Sequence, residues 1–131
     1  MSVNDHGEAM FADDEGSRTL GIELVEVSEG RAVTRLAIGP EMLNGLGLCH
    51  GGFIFAVGDT ALAFAANSQG EGAPTRAAAI SYRRPARAGT VLTATAQVIE
   101  RDDKQLLVEV EVTDQDHELI ASLRGESRLP R

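Results

Sequence analysis

One carboxylate is unusual in this sequence because of the residues around it. Asp59 is the single ionisable residue between Gly51 and Gly70, in a segment that is otherwise almost entirely apolar. A carboxylate that is withdrawn from water is costly unless a partner compensates for its charge. Asp59 is therefore either a structural residue tied to a buried hydroxyl or backbone group, or a reactive acid, base or nucleophile. We take the reactive role as the working hypothesis, because perturbed carboxylates cluster at active sites.

A second set of candidates lies just before this carboxylate, in NGLGLCHGG, residues 44–52. Gly51 and Gly52 fall where a helix is expected to begin, and the unpaired N–H groups and dipole of a helix N-terminus favour negative charge. The alternative is that both glycines only allow close packing. His50 is either functional or a capping or core histidine, since a lone histidine is often structural.

The same segment offers a turn residue and a cysteine. Asn44 precedes Gly45, so its side chain either supports a left-handed turn or supplies a polar group to a site. Cys49 stands beside His50, which would begin a metal site if further ligands followed at suitable spacing. None does, so we predict neither a metal nor a cofactor.

Basic residues are concentrated in one place although the chain is acidic, with a net charge of −8 and a pI of about 4.8. The cluster lies within twelve positions and consists of Arg76, Arg83, Arg84 and Arg87. It could hold a small anionic ligand or form a solvated strand edge, and both interpretations stay open. The overall negative charge argues against non-specific binding to nucleic acid or to an anionic membrane.

The length of 131 residues predicts a single domain, 1–131, with its own core. A single cysteine excludes an internal disulfide and fits a reducing compartment. Residues 1–16 are acidic and lack the apolar stretch of a secretory signal, and the apolar run 53–66 is too short to span a bilayer. We therefore expect a cytoplasmic protein. No pattern resembles a Ser-His-Asp hydrolase, a phosphate loop or a dinucleotide fingerprint.

The elements that must position these residues can be predicted from periodicity. The segment from Gly51 to about Ser68 is apolar on every side, which is typical of a buried helix, and Gly70 is a stop signal. We also predict a short helix over roughly 5–15 in the N-terminal segment 1–17, and a β-prone stretch over 20–38 that is broken at 28–30. Alternation and turn residues predict four further strands, 77–84, 91–101, 105–113 and 117–129. One helix and five or so strands indicate an α+β domain.

A helix that is apolar all round can be covered only by a sheet that curls around it, and any remaining face needs a second copy of the chain. One antiparallel sheet wrapped around one central helix is the hotdog fold. The sequence resembles the phenylacetic-acid-degradation thioesterases of that fold in its Asn-Gly, His-Gly-Gly and Asp-Thr motifs, with the Asp nine residues after the His. Further matches are GIELVEVSEGRAV, the RP of YRRPARAG, LTATAQV and the RG near the end, so the resemblance covers residues 20–128.

The resemblance implies hydrolysis of acyl-coenzyme A thioesters by a homo-oligomer, a homodimer assembled into a tetramer, without a metal. In this family the N–H of the glycine that matches Gly51 polarises the thioester carbonyl. Asp59 matches the nucleophile or general base, and Asn44 and His50 match residues that position the water or the substrate. Phenylacetyl or hydroxylated phenylacetyl groups are the implied acyl groups, with short or medium acyl chains as the alternative.

Further substrate contacts are expected from the same resemblance and from the basic cluster. The predicted substrate-binding residues are Gly52, Thr60, Thr75, Arg83, Arg84 and Arg87, the arginines for the phosphates of coenzyme A. A hotdog dehydratase that uses His50 and Asp59, or a non-catalytic acyl-CoA sensor, are the alternatives. The thioesterase-like loop argues against the first, and the lack of room for a DNA-binding segment argues against the second.

Spacing along the helix adds one more prediction. Gly51 and Asp59 are eight residues apart, about 12 Å along a helix axis. One thioester cannot lie within reacting distance of both groups in one chain. We therefore predict that two antiparallel copies of the helix share each active site.

Overall fold

The long apolar segment forms the central helix of the fold. The computed structural model describes residues 1–130. Its three helices are α1 (Asp5–Ala12), α2 (Glu15–Leu20) and α3 (Gly51–Ala66). Its six strands are β1 (Glu23–Ser28), β2 (Arg31–Ala37), β3 (Thr75–Tyr82), β4 (Val91–Arg101), β5 (Gln105–Thr113) and β6 (Leu119–Arg128). A short 3-10 turn, Pro40–Met42, precedes α3.

All six strands form one antiparallel sheet in the order β1-β2-β4-β5-β6-β3. Helix α3 packs against this sheet and contacts every strand, most extensively β4, β2 and β5. The predicted α+β hotdog architecture is confirmed. Strands β1 and β3 form the two edges of the sheet, and nearly every residue of β3 is exposed.

The core lies between α3 and the inner face of the sheet. The alternation predicted for β4 and β5 is confirmed, since the inward residues of both strands are buried: Leu92, Ala94, Ala96, Leu106, Val108, Val110 and Val112. Gly125 of β6 leaves room for Leu62 of α3, because a Cβ at position 125 would collide with the Leu62 side chain, and Phe64 of α3 packs edge to face on Phe11 of α1 with ring centroids 6.0 Å apart. Thr34 of β2 is fully buried, and its hydroxyl donates to the Val57 carbonyl at 2.8 Å, which satisfies its polar group inside the core.

Three predicted boundaries need correction. The N-terminal segment forms two helices instead of one over 5–15, because the Asp14 side chain accepts from the Ser17 N–H at 2.9 Å and caps a new helix. Residue 20 therefore ends α2 and is not the start of a strand. Helix α3 ends at Ala66, short of Ser68, because the Asn67 carboxamide turns to the Ala73 backbone.

Strands β3 and β6 are also displaced from their predicted positions. The sheet has six strands, and β3 spans 75–82 instead of 77–84. It ends there because the N–H groups of Arg83 and Arg84 both donate to the Ile120 carbonyl. Strand β6 begins two residues later than predicted, because Asp114 and Glu118 close a tight turn in which His117 has a φ of 63°. No helix in residues 1–130 has the length and apolar character needed to cross a membrane.

Candidate active site

The N-terminus of α3 presents free donors. Gly51 is the first residue of the helix, and its N–H and that of Gly52 have no acceptor within residues 1–130. His50 occupies the N-cap position with a φ of −55° and a ψ of 135°, but its side chain makes no capping hydrogen bond. Its imidazole is exposed, so neither the capping nor the core role considered for His50 is found.

A pocket of 330 Å³ opens at this helix N-terminus. Its polar lining is formed by Asn44, Gly51, Tyr82, Arg83 and Arg84. Its apolar lining is formed by Leu48, Cys49, Ile54 and Pro85. The pocket therefore combines an apolar wall with two cations and a helix N-terminus, which suits a ligand that has an apolar part and an anionic part.

Asn44 has the turn role that was considered for it, and it also lines the pocket. Its side-chain oxygen accepts from the N–H groups of Leu46 at 2.9 Å and Leu48 at 3.2 Å. These bonds hold the loop that leads to α3, in which the Asn44 N–H also donates to the Leu48 carbonyl at 2.7 Å. The side-chain NH₂ of Asn44 has no partner among the described residues, so it remains available to a ligand.

Tyr82 is a pocket residue that sequence analysis missed. Its hydroxyl donates to the Gly51 carbonyl at 2.9 Å, which ties the end of β3 to the first residue of α3. A Cβ at position 51 would lie 2.8 Å from that hydroxyl and 3.0 Å from the ring. The glycine thus allows the close approach of Tyr82. The available signal was that the chain has one tyrosine, directly before the RRP motif.

Asp59 lies on the least covered stripe of α3 and not in the pocket. Its carboxylate is half-buried, and burial raises the pKa of Asp59 above its ordinary value of 3.8. It has no salt-bridge partner within the part of the chain that the structure describes. The expectation that Asp59 sits at a deeply buried position is corrected to a half-buried one. The partly covered stripe consists of Phe55, Ala56, Asp59, Thr60 and Ala63.

The hydroxyl of Thr60 is already engaged in the fold. It donates to the Ala56 carbonyl at 2.8 Å, one turn earlier in α3, and lies 3.1 Å from the Ser17 hydroxyl. Ser17 is buried, and its hydroxyl donates to the Asp14 carboxylate at 2.7 Å. Thr60 thus links α2 to α3 one residue after Asp59, a contact that sequence analysis did not foresee.

The predicted substrate-binding residues are only partly brought together. Arg83 and Arg84 line the pocket, whereas the exposed side chain of Arg87 does not. Thr75 is exposed at the start of β3, opposite Ser127 of β6, and so lies at the other end of the strand from Tyr82. Thr75 is outside the pocket of a single chain.

Cys49 lines the pocket and carries the one thiol of the sequence. Burial raises the pKa of the Cys49 thiol, which keeps it protonated and weakly nucleophilic. Within residues 1–130, no group of three or more His, Cys, Asp and Glu side chains is arranged to hold a metal ion.

Comparison with known proteins gives a consistent result. Residues 46–121 match the model of a family described as the thioesterase superfamily. The acyl-coenzyme A thioesterase PaaI of Escherichia coli is 39% identical over 122 residues, which cover 93% of this chain and 87% of PaaI. A putative esterase of Archaeoglobus fulgidus is 33% identical over 88% of this chain and 75% of its own length. The solved structure of E. coli PaaI, from the phenylacetic acid degradation operon, matches with a TM-score of 0.93 over 96% of this chain and 91% of that chain, at 38% identity.

Proposed function

This chain belongs to the thioesterase superfamily, and on that premise we propose that it hydrolyses acyl-coenzyme A thioesters to a free acid and coenzyme A. Water adds to the thioester carbonyl, the C–S bond breaks, and the thiolate of coenzyme A leaves and takes up a proton. The observation that carries the proposal is the pocket at the α3 N-terminus, where Gly51, the first residue of the helix, lies with two arginines and an apolar wall.

Each group has a distinct proposed role in this reaction. The Gly51 N–H donates to the carbonyl oxygen and stabilises the negative charge that develops on it. Asp59 either removes a proton from the attacking water, or attacks the carbonyl carbon and expels the thiolate to form a mixed anhydride that water then hydrolyses to the free acid and the regenerated carboxylate. Its raised pKa keeps it a better proton acceptor than a solvated carboxylate. The NH₂ of Asn44 and the exposed imidazole of His50 orient the water or the substrate. Gly52, Thr60 and Thr75 remain proposed substrate contacts, the last two from a neighbouring subunit.

The arginines at the pocket are proposed to bind the phosphates of coenzyme A. Arg83 and Arg84 line the pocket beside Tyr82, and Arg83 has no ion-pair partner among residues 1–130. Arg87 is exposed outside the pocket of one chain and is proposed as an outer contact only. Coenzyme A is the one multiply anionic portion of the substrate, so it is the part that these cations would recognise.

We further propose that the active site is completed by a second copy of the chain, and that two such dimers form the tetramer implied by the resemblance. Asp59 is absent from the lining of the Gly51 pocket, and eight residues of helix separate the two groups by about 12 Å. The partly covered stripe of α3 and the exposed β3 edge offer an apolar face and unpaired backbone groups to the second copy. An antiparallel partner helix would place its Asp59 beside Gly51.

Subunit mixing tests the shared site. Gly51→Pro removes the N–H, and Asp59→Asn removes the carboxylate. Equal mixing of the two inactive variants with subunit exchange produces heterodimers that hold one intact site out of two. We expect recovery of roughly a quarter of wild-type activity if the sites act independently. No recovery, with heterodimers demonstrated by native mass spectrometry, would place both groups of each site in one chain.

The proposed acyl group is phenylacetyl or a hydroxylated phenylacetyl, supported by the relationship to PaaI and by the apolar wall of the pocket. Thiol release should be measured with phenylacetyl-, hydroxyphenylacetyl-, short-chain and medium-chain acyl-CoA. We expect the highest kcat/KM for the arylacetyl thioesters and a decrease in kcat of about 100-fold or more in Asp59→Asn. Binding of all substrates without thiol release would instead indicate an acyl-CoA sensor.

A further inference from the structure

An ion pair stands at the rim of the pocket. The guanidinium of Arg84 lies 3.2 Å from the carboxylate of Glu118. Both side chains are more than half exposed, with exposed fractions of 61% and 52%. Arg84 also lines the pocket, whereas Glu118 does not. The carboxylate therefore engages, from outside the pocket, one of the two cations that line it.

The fold fixes the position of Glu118 on both sides. Asp114 accepts from the N–H of Glu118 at 2.9 Å through its side chain, and the Asp114 N–H donates to the Glu118 carbonyl at 3.0 Å. Within this turn His117 has a φ of 63°, the one non-glycine residue of the described chain with a positive φ. A positive φ is uncommon for residues other than glycine, although histidine, like Asn and Asp, adopts it more often than most, and here the hydrogen bonds of Asp114 hold the turn.

The backbone of Arg84 is fixed by hydrogen bonds to β6. The N–H groups of Arg83 and Arg84 donate to the carbonyl of Ile120 at 2.7 and 3.2 Å, two residues after Glu118. Hydrogen bonds in the turn before β6 and just after the end of β3 thus hold the backbones of Glu118 and Arg84 close together, so that their side chains can pair. Their exposure allows an incoming anion to reach the guanidinium and displace the carboxylate.

We infer that Glu118 lowers the affinity for coenzyme A and its thioesters by competing with their phosphates for Arg84; this inference rests on the proposed contact between Arg84 and coenzyme A. In the protein without ligand, the Glu118 carboxylate forms an ion pair with the Arg84 guanidinium. A phosphate that binds Arg84 must first displace Glu118, which lowers the affinity for coenzyme A and for its thioesters. The same competition speeds release of the product coenzyme A, because Glu118 returns to Arg84 as the phosphate leaves.

The test is Glu118→Gln, which keeps the shape of the side chain and removes its charge. We expect its Kd for coenzyme A to fall about two- to five-fold, the range of an exposed ion pair, and the Kd of pantetheine, which lacks the phosphates, to stay unchanged. The decrease should be smaller at high ionic strength because salt screens exposed charges. Both values can be measured by calorimetry on the intact protein.

The chain provides a matched control. Glu109 pairs with Arg124 at 3.0 Å on the sheet, with exposed fractions of 51% and 60%, and neither residue lines the pocket. Glu109→Gln makes the same change in net charge and breaks a similar pair, so it reports the general effect of one less negative charge. We expect it to leave the Kd for coenzyme A unchanged. An equal effect of both variants would overturn the competition.

The Arg84→Gln variant distinguishes competition for Arg84 from direct repulsion between Glu118 and the phosphates of coenzyme A. In Arg84→Gln protein, Glu118→Gln should have no effect on coenzyme A binding, because the contested cation is absent. An equal gain in both backgrounds would show direct repulsion of the ligand and overturn the inference. If Arg84→Gln alone weakens coenzyme A binding but Glu118→Gln changes nothing, only the competition fails. If Arg84→Gln has no effect either, the proposed phosphate contact fails with it, while thiol release still reports the hydrolase activity.

Discussion

Replacement of Gly51 by proline tests the oxyanion role with little disturbance of the backbone. Proline is well tolerated at the first position of a helix, where Gly51 lies. The preceding residue, His50, has a φ of −55° and a ψ of 135°, which is the extended conformation that a following proline requires. The Gly51 N–H has no acceptor within residues 1–130, so its removal breaks no hydrogen bond among them.

The main structural cost is crowding at Tyr82, and Gly51→Ala reproduces it. In both variants the new Cβ would lie 2.8 Å from the Tyr82 hydroxyl. Because the Tyr82 side chain is 52% exposed, the ring can turn into solvent, and the cost is the lost hydrogen bond, about 0.5–1.5 kcal/mol. Alanine keeps the N–H and proline removes it. The comparison between the two variants therefore isolates the donor.

We expect the kcat of Gly51→Pro to be about 100- to 1000-fold below that of Gly51→Ala, as is usual for loss of one oxyanion donor, with KM nearly unchanged. Thiol release from the best acyl-CoA substrate gives both constants, and urea unfolding shows whether the two variants are equally stable. A folded Gly51→Pro protein with a kcat within about three-fold of the alanine variant would mean a barrier change below about 0.7 kcal/mol. That result would refute the assignment of the donor to Gly51.

Two further predictions concern charge. Burial raises the pKa of Asp59 above 3.8, so the folded state binds this proton more tightly than the unfolded state does. The free energy of unfolding therefore falls as the pH rises from 3.8, the pKa of the unfolded state, to the higher pKa of the folded state. Asp59→Asn should therefore be more resistant to urea than the wild type at neutral pH, and this advantage should vanish below pH 3.8; a more stable wild type at neutral pH would contradict it. Combined replacement of Arg83, Arg84 and Arg87 by Gln should raise KM for acyl-CoA with kcat nearly constant, more strongly at low salt, whereas Arg87→Gln alone should change KM little. An unchanged KM in the triple variant at both low and high salt would remove the phosphate contact.

The parts of the fold that follow from local pattern were predictable from the sequence. Strands β4 and β5 were predicted with the bounds that the structure has, because each alternates regularly between apolar and polar residues and the turn 102–104 joins them. The start of α3 was marked by its glycines. The apolar character of α3 also indicated that one sheet would not cover it, and the stripe around Asp59 is indeed only partly covered.

The parts that depend on contacts between distant segments were not predictable. Tyr82 forms a hydrogen bond with Gly51, and Ser17 forms one with Thr60. Each pair is more than 30 residues apart in the sequence, so no local pattern predicts the contact. The second N-terminal helix was missed for a local reason, because it depends on one capping side chain, Asp14, within a segment that has little periodicity. The spacing of the arginines in the sequence predicted one cluster, but the pocket includes only Arg83 and Arg84, the two that directly follow the last residue of β3.

The position of β3 in the sheet has a consequence for how the protein is made. Strand β3 follows α3 directly in the chain, yet within residues 1–130 its one strand partner is β6, which is synthesised after the other five strands. Contacts between distant segments form late, because the intervening chain must first be ordered. The wall of the pocket formed by Tyr82, Arg83 and Arg84 depends on this pairing with β6. We therefore expect a nascent or truncated chain that lacks β6 to have no ligand site, even if its helix and hairpins form.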